Sequence, residues 1–137
     1  MTILEHFSVI RWHDGVGWVD ITAEIAACAL TLTRQITPVY TLGESDPLLV
    51  AGGRGILLTL DVVRETTSGF YGALLSAAET GAPLMLELCQ PDAAAGAYRA
   101  SGNFVIREVI PLRAEAGGAG TARALLVGGR GFTGELL

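Results

Sequence analysis

From Ile56 to Val63 the chain carries its strongest strand signal, rich in Ile, Leu and Val. Leu58, Leu60 and Val62 fall on one side, Thr59 and Asp61 on the other. A period of two is the mark of a strand with one buried face, because successive side chains of an extended chain point to opposite sides. Such a strand cannot stand alone, since its backbone N–H and C=O groups need partners. The rest of the sequence has to supply a sheet, and it contains the pieces. Phe7–Arg11, Trp18–Ile21, Ala29–Arg34, Leu84–Cys89, Tyr98–Pro111 and Arg123–Gly128 read as further strands. In Ala29–Arg34, Leu30 and Leu32 oppose Thr31 and Thr33. Gly102 within Tyr98–Pro111 marks an expected bulge. His13-Asp14-Gly15, 90–96 and 116–120 read as turns. Thr22–Cys28 has helical spacing (Ile21, Ile25, Cys28) and reads as a short irregular or helical link.

One stretch carries the helical period. Phe70, Leu74, Leu75 and Ala78 form an apolar stripe, Ser68 can cap its start, and Gly81 with Pro83 beyond ends it. The helix is expected over about residues 68–80. Thr37–Gly53, with Pro38, Gly43, Pro47, Gly52 and Gly53, reads as a long loop or protruding hairpin, with Val39–Leu42 as its arm. A connection of that length in a compact domain usually has a job. The expected fold is mainly β: an antiparallel β-sandwich or barrel of two small sheets with one flanking helix, in a single domain over residues 1–137.

Composition narrows the function classes. Nine basic residues, all arginine, face fourteen acids, for a formal charge of −5. A domain that grips nucleic acid needs a net basic face, so this balance argues against one. Half of the residues are apolar, and the mean hydropathy is high for a soluble monomer. Some apolar surface is therefore expected in subunit contacts. No signal peptide and no membrane span is legible, which predicts a soluble chain without membrane insertion. Cys28 and Cys89 lie among apolar neighbours and are expected as buried free thiols.

No catalytic constellation, cofactor site or metal site emerges. Residues Gly129 to Gly134 fit the G-x-G-x-x-G pattern, but no helix can follow in the three remaining residues, so a dinucleotide site is not expected. Gly-Gly-Arg-Gly occurs at Gly52–Gly55 and Gly128–Gly131 and reads as strand-flanking turns. His6 and His13, with Asp14 and Asp20 nearby, lack a diagnostic ligand spacing. Neither cysteine has a basic neighbour in sequence that would activate it.

The order of these features resembles the tail tube proteins of tailed bacteriophages, a fold shared with the inner tubes of contractile injection machines. Trp18-Val19-Asp20-Ile21-Thr22 is similar to an early strand common in phage tail proteins. The long polar loop before the central strand, the block from Ile56 to Glu87, and the close through Gly102–Ile106, Ala124–Val127 and Gly128–Gly131 continue the likeness. The resemblance implies a structural virion protein without catalysis. It would form hexameric rings that stack into a tube for DNA delivery, in a virion tail assembled in the host cytoplasm. Implied partners are further copies of the chain and, around them, a sheath protein, a tape measure protein, a tail terminator and baseplate proteins. Genomic DNA would pass without specific binding. The implied inter-ring stacking loop carries Tyr40, Leu42, Glu44, Asp46 and Leu48. Asp61, Glu65, Glu87 and Glu108 are candidate lumen-facing acids, with a solvated outer face as the equal rival. Two other readings stay open: another tail ring component (terminator, distal tail or baseplate ring protein) and a small-ligand-binding β-barrel. The barrel would need convergent polar groups that the sequence does not show.

Overall fold

The computed structural model describes residues 2–4, 7–64, 68–90, 97–111, 120–129 and 131–136. The strands in chain order are β1 (Thr2–Leu4), β2 (Val9–His13), β3 (Trp18–Asp20), β4 (Ile25–Val39), β5 (Leu48–Val63), β6 (Leu84–Cys89), β7 (Tyr98–Pro111), β8 (Thr121–Gly128) and β9 (Thr133–Leu136). The one helix among the described residues, α1, spans Phe70–Thr80, and a 3₁₀ turn covers Thr22–Glu24. All strand pairs are antiparallel, in the order β1-β4-β5-β8-β7-β6-β2-β3, with β9 also on β7.

The two expected small sheets are the two halves of this one hydrogen-bonded sheet, which is not closed into a barrel. The joint is β7. Its first half pairs with β6 over Arg99–Phe104 and with β9 over Tyr98–Ser101, and its second half, Phe104–Pro111, pairs with β8. The register slips between Ile106 and Glu108. A strand that changes sheets at a bulge is the usual way to make a sandwich corner. The bulge therefore sits a few residues past Gly102, where the sequence suggested it. Gly102 is needed for another reason: a Cβ there would stand 2.8 Å from Phe132 Cα.

Both halves turn their apolar faces into one core. Leu30, Ile56, Leu58, Leu60, Val62, Ala124 and Leu126 come from one side, Ile10, Leu86, Leu88 and Ala100 from the other, with Phe104 and Phe132 at the joint. The Phe104 and Phe132 rings meet edge to face at 6.1 Å. Helix α1 adds Phe70, Leu74 and Ala77, and Phe70 packs against Trp12 with ring centroids 5.5 Å apart. Leu75 and Ala78, expected on its apolar stripe, are exposed. The N-cap position falls to Gly69 (φ 80°) and not to Ser68 as expected; Ser68, one residue earlier, accepts at Oγ from Phe70 N–H at 3.2 Å and donates to Glu24 Oε2 at 2.5 Å. Gly81 ends the helix at φ 78°, in the left-handed region that glycine tolerates.

The expected link at Thr22–Cys28 resolves into the 3₁₀ turn and the start of β4, whose register slips between Ile25 and Ala27. The glycine-rich end forms β9 on β7, so no helix follows the G-x-G-x-x-G stretch.

Candidate assembly surfaces

Strands β4 and β5 form a hairpin that outruns the body of the protein. Thr37–Gly53 is a protruding hairpin, of the two forms expected, and pairing continues to Val39↔Leu48. Tyr40, Leu42, Glu44, Asp46 and Leu48 all lie exposed at its end, which turns at Gly43 (φ 86°). The apolar exposure is concentrated there: Leu42 is fully exposed, Tyr40 71%, Leu49 65%, Leu48 63% and Ile36 59%. The only charges between Gln35 and Gly53 are Glu44 and Asp46.

The half-sheet β4-β5-β8-β7 has two open edges. Among the described residues, β4 has a strand on its outer side only over Leu30–Leu32, where β1 pairs. Beyond Phe104, β7 has β8 on one side and, among the described residues, no strand on the other. Beside the open stretch of β4 is a cleft of ≈ 510 Å³, lined by Phe7, Ile10, Ile25, Ala26, Ala27, Cys28 and Ala29, with Thr22, Thr59, Asp61 and Arg123 at its polar side.

The candidate acids do not form one group. Asp61 and Glu108 lie on the outward face of the β4-β5-β8-β7 half, with Asp61 opposite Arg123, and Glu108 opposite Leu125, in the ladder. Asp61 accepts from Arg123 Nε at 2.9 Å and Nη2 at 3.3 Å. This bond and the carboxylate's charge raise the arginine pKa. Glu87 sits on the outward face of the other half. It is nearly buried, accepting from Arg11 Nη1 at 2.7 Å, with Arg99 Nη2 at 3.5 Å from its second oxygen. Its pairing depends on three strands that only the fold brings together, so no local signal in the sequence could have shown it. Glu65 lies outside the described residues.

The chemistry-bearing residues have structural work. His13 Nδ1 accepts from Gly15 N–H at 3.1 Å, and its ring meets Trp18 edge-on at 5.2 Å. Asp14 accepts from Val16 and Gly17 N–H, and Asp20 from Thr22 O–H and N–H, which holds both carboxyls below their ordinary pKa. His6 and Arg130 lie outside the described residues, and among those described no three His, Cys, Asp or Glu residues cluster as a metal site. Both cysteines are free thiols, each half-buried. Burial pushes Cys28 up to about 12 and also raises Cys89, so neither is an activated nucleophile. Phe132 is the anchor that the sequence reading missed. Its carbonyl accepts from Arg54 Nη2 at 2.9 Å, and the Arg54 guanidinium stands 5.3 Å from its ring centre. Flanked by Gly131 and a four-residue strand, it offers no periodic pattern.

No protein-family model and no curated protein matches the sequence. The fold does have relatives among solved structures. A chain of the virion of a native gene transfer agent particle matches with a TM-score of 0.72 at 13% identity, covering 93% of this chain and 95% of the other. A chain of the tail of the empty particle, refined with helical and C6 symmetry, matches at 0.71 and 14% identity, covering 91% and 92%. A chain of the six-fold symmetrised baseplate of the anti-feeding prophage matches at 0.66 and 13% identity, covering 100% and 96%. At such identities the likeness speaks for the fold alone, and it spans nearly the full length of each partner: the chain shares its fold with these chains of virion, tail and baseplate assemblies.

Proposed function

We propose that this chain is a structural subunit that forms hexameric rings and stacks them into a tail tube for DNA delivery. The observation that carries the reading is the fold match, over nine-tenths of both chains, to a tail chain refined with C6 symmetry. The two open edges support it. An exposed sheet edge invites uncontrolled pairing unless a partner covers it. Strands β4, β5, β8 and the second half of β7 alternate in direction, so a head-to-tail ring would set β7 of one copy antiparallel to the open stretch of β4 in the next. Closure removes the edges and limits growth to one stacking direction. The exposed arm provides the stacking contact through Tyr40, Leu42, Glu44, Asp46 and Leu48.

In this reading the face bearing Asp61 and Glu108 lines the lumen. Arg123 neutralises Asp61, so this trio leaves one net negative charge per subunit. That is enough to avoid the phosphate contacts by which basic surfaces hold DNA. Glu87, shielded by two arginines on the other half, is not needed for this role. The subunit would act in a virion tail assembled in the host cytoplasm, beside a tape measure protein, a tail terminator, baseplate proteins and, in a contractile tail, a sheath.

Negative-stain microscopy of the purified protein tests the reading. Six-fold rings or rods with an open lumen are expected, and a concentration-independent monomer would end it. The anti-feeding prophage match, which covers the whole chain, favours a second reading, a baseplate ring component. Copy number separates the two: a tube subunit is among the most abundant virion proteins, a baseplate ring is present once.

A further inference from the structure

Strands β4, β5, β8 and β7 form a block with square ends. One end is the row Leu32, Ile56, Gly128 and Phe104, each paired with the next across the strands; the other is the row Ile25, Val62, Ala122 and Pro111. The flanks of the block are therefore Ile25–Leu32 of β4 and Phe104–Pro111 of β7, matched in extent. The β7 flank is open among the described residues, but the β4 flank is not. Strand β1, three residues long, lies antiparallel on it through Thr2↔Leu32, Ile3↔Thr31 and Leu4↔Leu30. A strand in a ladder has two hydrogen-bonding sides. Strand β5 holds one side of β4, so β1 and any further strand compete for the other. The stretch left free within the block, Ile25–Ala29, is closed at one end by the 3₁₀ turn at Thr22–Glu24 and at the other by β1, and it contains the register slip between Ile25 and Ala27. Pairing farther out, on Thr33–Val39, would slide neighbouring blocks past one another by nearly their own length and build a staircase in place of a flat ring.

We infer that β1 is a displaceable guard of the β4 edge: it pairs with Leu30–Leu32 in the free subunit and gives way to β7 of the neighbouring copy when the ring closes. This rests on the tube reading above and adds the step that controls when its edges meet. The lengths set the direction of the exchange. Strand β1 offers three residues, while the β7 flank is matched to β8, which is eight long. A longer ladder replaces a shorter one. Short edge strands are one means by which soluble proteins blunt an open sheet edge. Here the guard sits at the end of the block from which the arm departs. An edge that would otherwise run unbroken from Ile25 to Val39 is cut into two shorter pieces. A chain that assembles through its sheet edges needs such a restraint, because a long free edge pairs in wrong registers and with wrong partners. Displacement makes the correct register a condition of assembly: only a neighbour whose strand spans the whole block recovers more pairing than β1 gives up.

Two variants of the full chain test this in opposite directions. Ile3→Cys with Thr31→Cys puts thiols at directly opposed positions of β1 and β4, close enough for a disulfide. Oxidised, the pair locks β1 in place; reduced, it does not. Assembly, read by sedimentation and microscopy, is expected to fall about tenfold or more in the oxidised form and to return on reduction. The wild-type chain under the same oxidant controls for Cys28 and Cys89. In the second variant, Thr2→Pro, Ile3→Pro and Leu4→Pro together remove every N–H that β1 has for the ladder. The concentration at which rings appear should then drop about threefold or more, and the thermal transition of the dissociated subunit reports that its body is folded. Rings formed by the oxidised lock as readily as by the reduced form would overturn the guard, since β1 would then stay on β4 in the ring. An unchanged or raised threshold in the proline variant, with the subunit melt intact, would overturn it as well. Either result leaves the tube reading standing, whereas a wild-type chain that never assembles overturns both.

Discussion

Strand β5 is two different objects joined end to end. From Ile56 to Val63 its residues alternate between buried and half-buried; from Leu48 to Gly55 every residue is exposed. Backbone pairing with β4 runs through both halves, apart from the slips beside Arg34 and between Ile25 and Ala27. What differs is what lies around them. The inner half has β8 on its flank and a core above it, and the outer half has only β4. Burying a Leu or Val side chain is worth about 1.5–3 kcal/mol, so the inner half obtains its stabilisation within the subunit. The outer half can obtain it only from another molecule. Leucines of one strand should therefore report on two separate equilibria. Leu58→Ala is expected to destabilise the subunit by about 2–5 kcal/mol in denaturant unfolding. Leu49→Ala should stay within about 0.5 kcal/mol in the same experiment and weaken assembly instead. A Leu49→Ala subunit that unfolds early would break the division of the strand into folding and assembly halves.

The β6 half of the sheet sharpens the comparison, because it buries a charge where β5 buries leucine. Glu87 is nearly enclosed, and its two arginine partners are each about half exposed, at 43% and 47%. Loss of the carboxylate leaves those guanidinium groups able to turn to water. Glu87→Gln should therefore cost about 1–2 kcal/mol, below the penalty for a fully buried pair. Urea unfolding of the subunit measures it. Assembly should be little affected, unlike that of Leu49→Ala. If Glu87→Gln abolished rods while leaving the subunit stable, the β6 half would belong with the arm as an assembly surface.

Much of the inner region was legible because its causes are local. The alternation at Ile56–Val63 and the helix boundary at Gly81 each depend on neighbours in sequence, and the structure keeps both; the breaks around 37–53 do not end the strands, since β4 runs through Pro38 and β5 through Gly52 and Gly53. The division into sheets was less legible, since one strand, β7, serves both halves and its bulge follows from the corner it must turn. The same holds for Phe132, whose burial depends on Gly102 thirty residues earlier. The arm showed itself only as an unusually long connection. Its alternate faces, Ile36 with Leu49 and Val50 with Leu48, carry no consistently polar side to betray a strand, and in the subunit both are exposed, so no alternation of buried and exposed residues marks it. The acids showed least. Asp61, Glu87 and Glu108 look alike in sequence, but pairing separates a neutralised one, an enclosed one and an exposed one.

The smallest expected effect lies on the face given to the lumen. Arg123 holds Asp61 with two hydrogen bonds, yet its side chain is 47% exposed and that of Asp61 18%. Water competes for such a pair, and ordering the long arginine offsets most of the attraction. In a double-mutant cycle with Arg123→Gln and Asp61→Asn, the coupling in subunit stability should be barely measurable and should vanish in high salt, where exposed charges are screened. A large, salt-resistant coupling would place the pair among the structural elements of the inner region. The two single variants should still differ in the assembled tube. Arg123→Gln makes the face more negative by one charge per subunit and Asp61→Asn less negative by one, a difference repeated in every copy around a ring. Retention of short duplex DNA by rods, measured at low salt, should thus rise for Asp61→Asn and fall for Arg123→Gln if this face lines the lumen. Equal retention by both would assign it to the outside. A pair with almost no effect on folding can then be kept for the electrostatics of the assembled surface, the same separation of folding from assembly that divides β5.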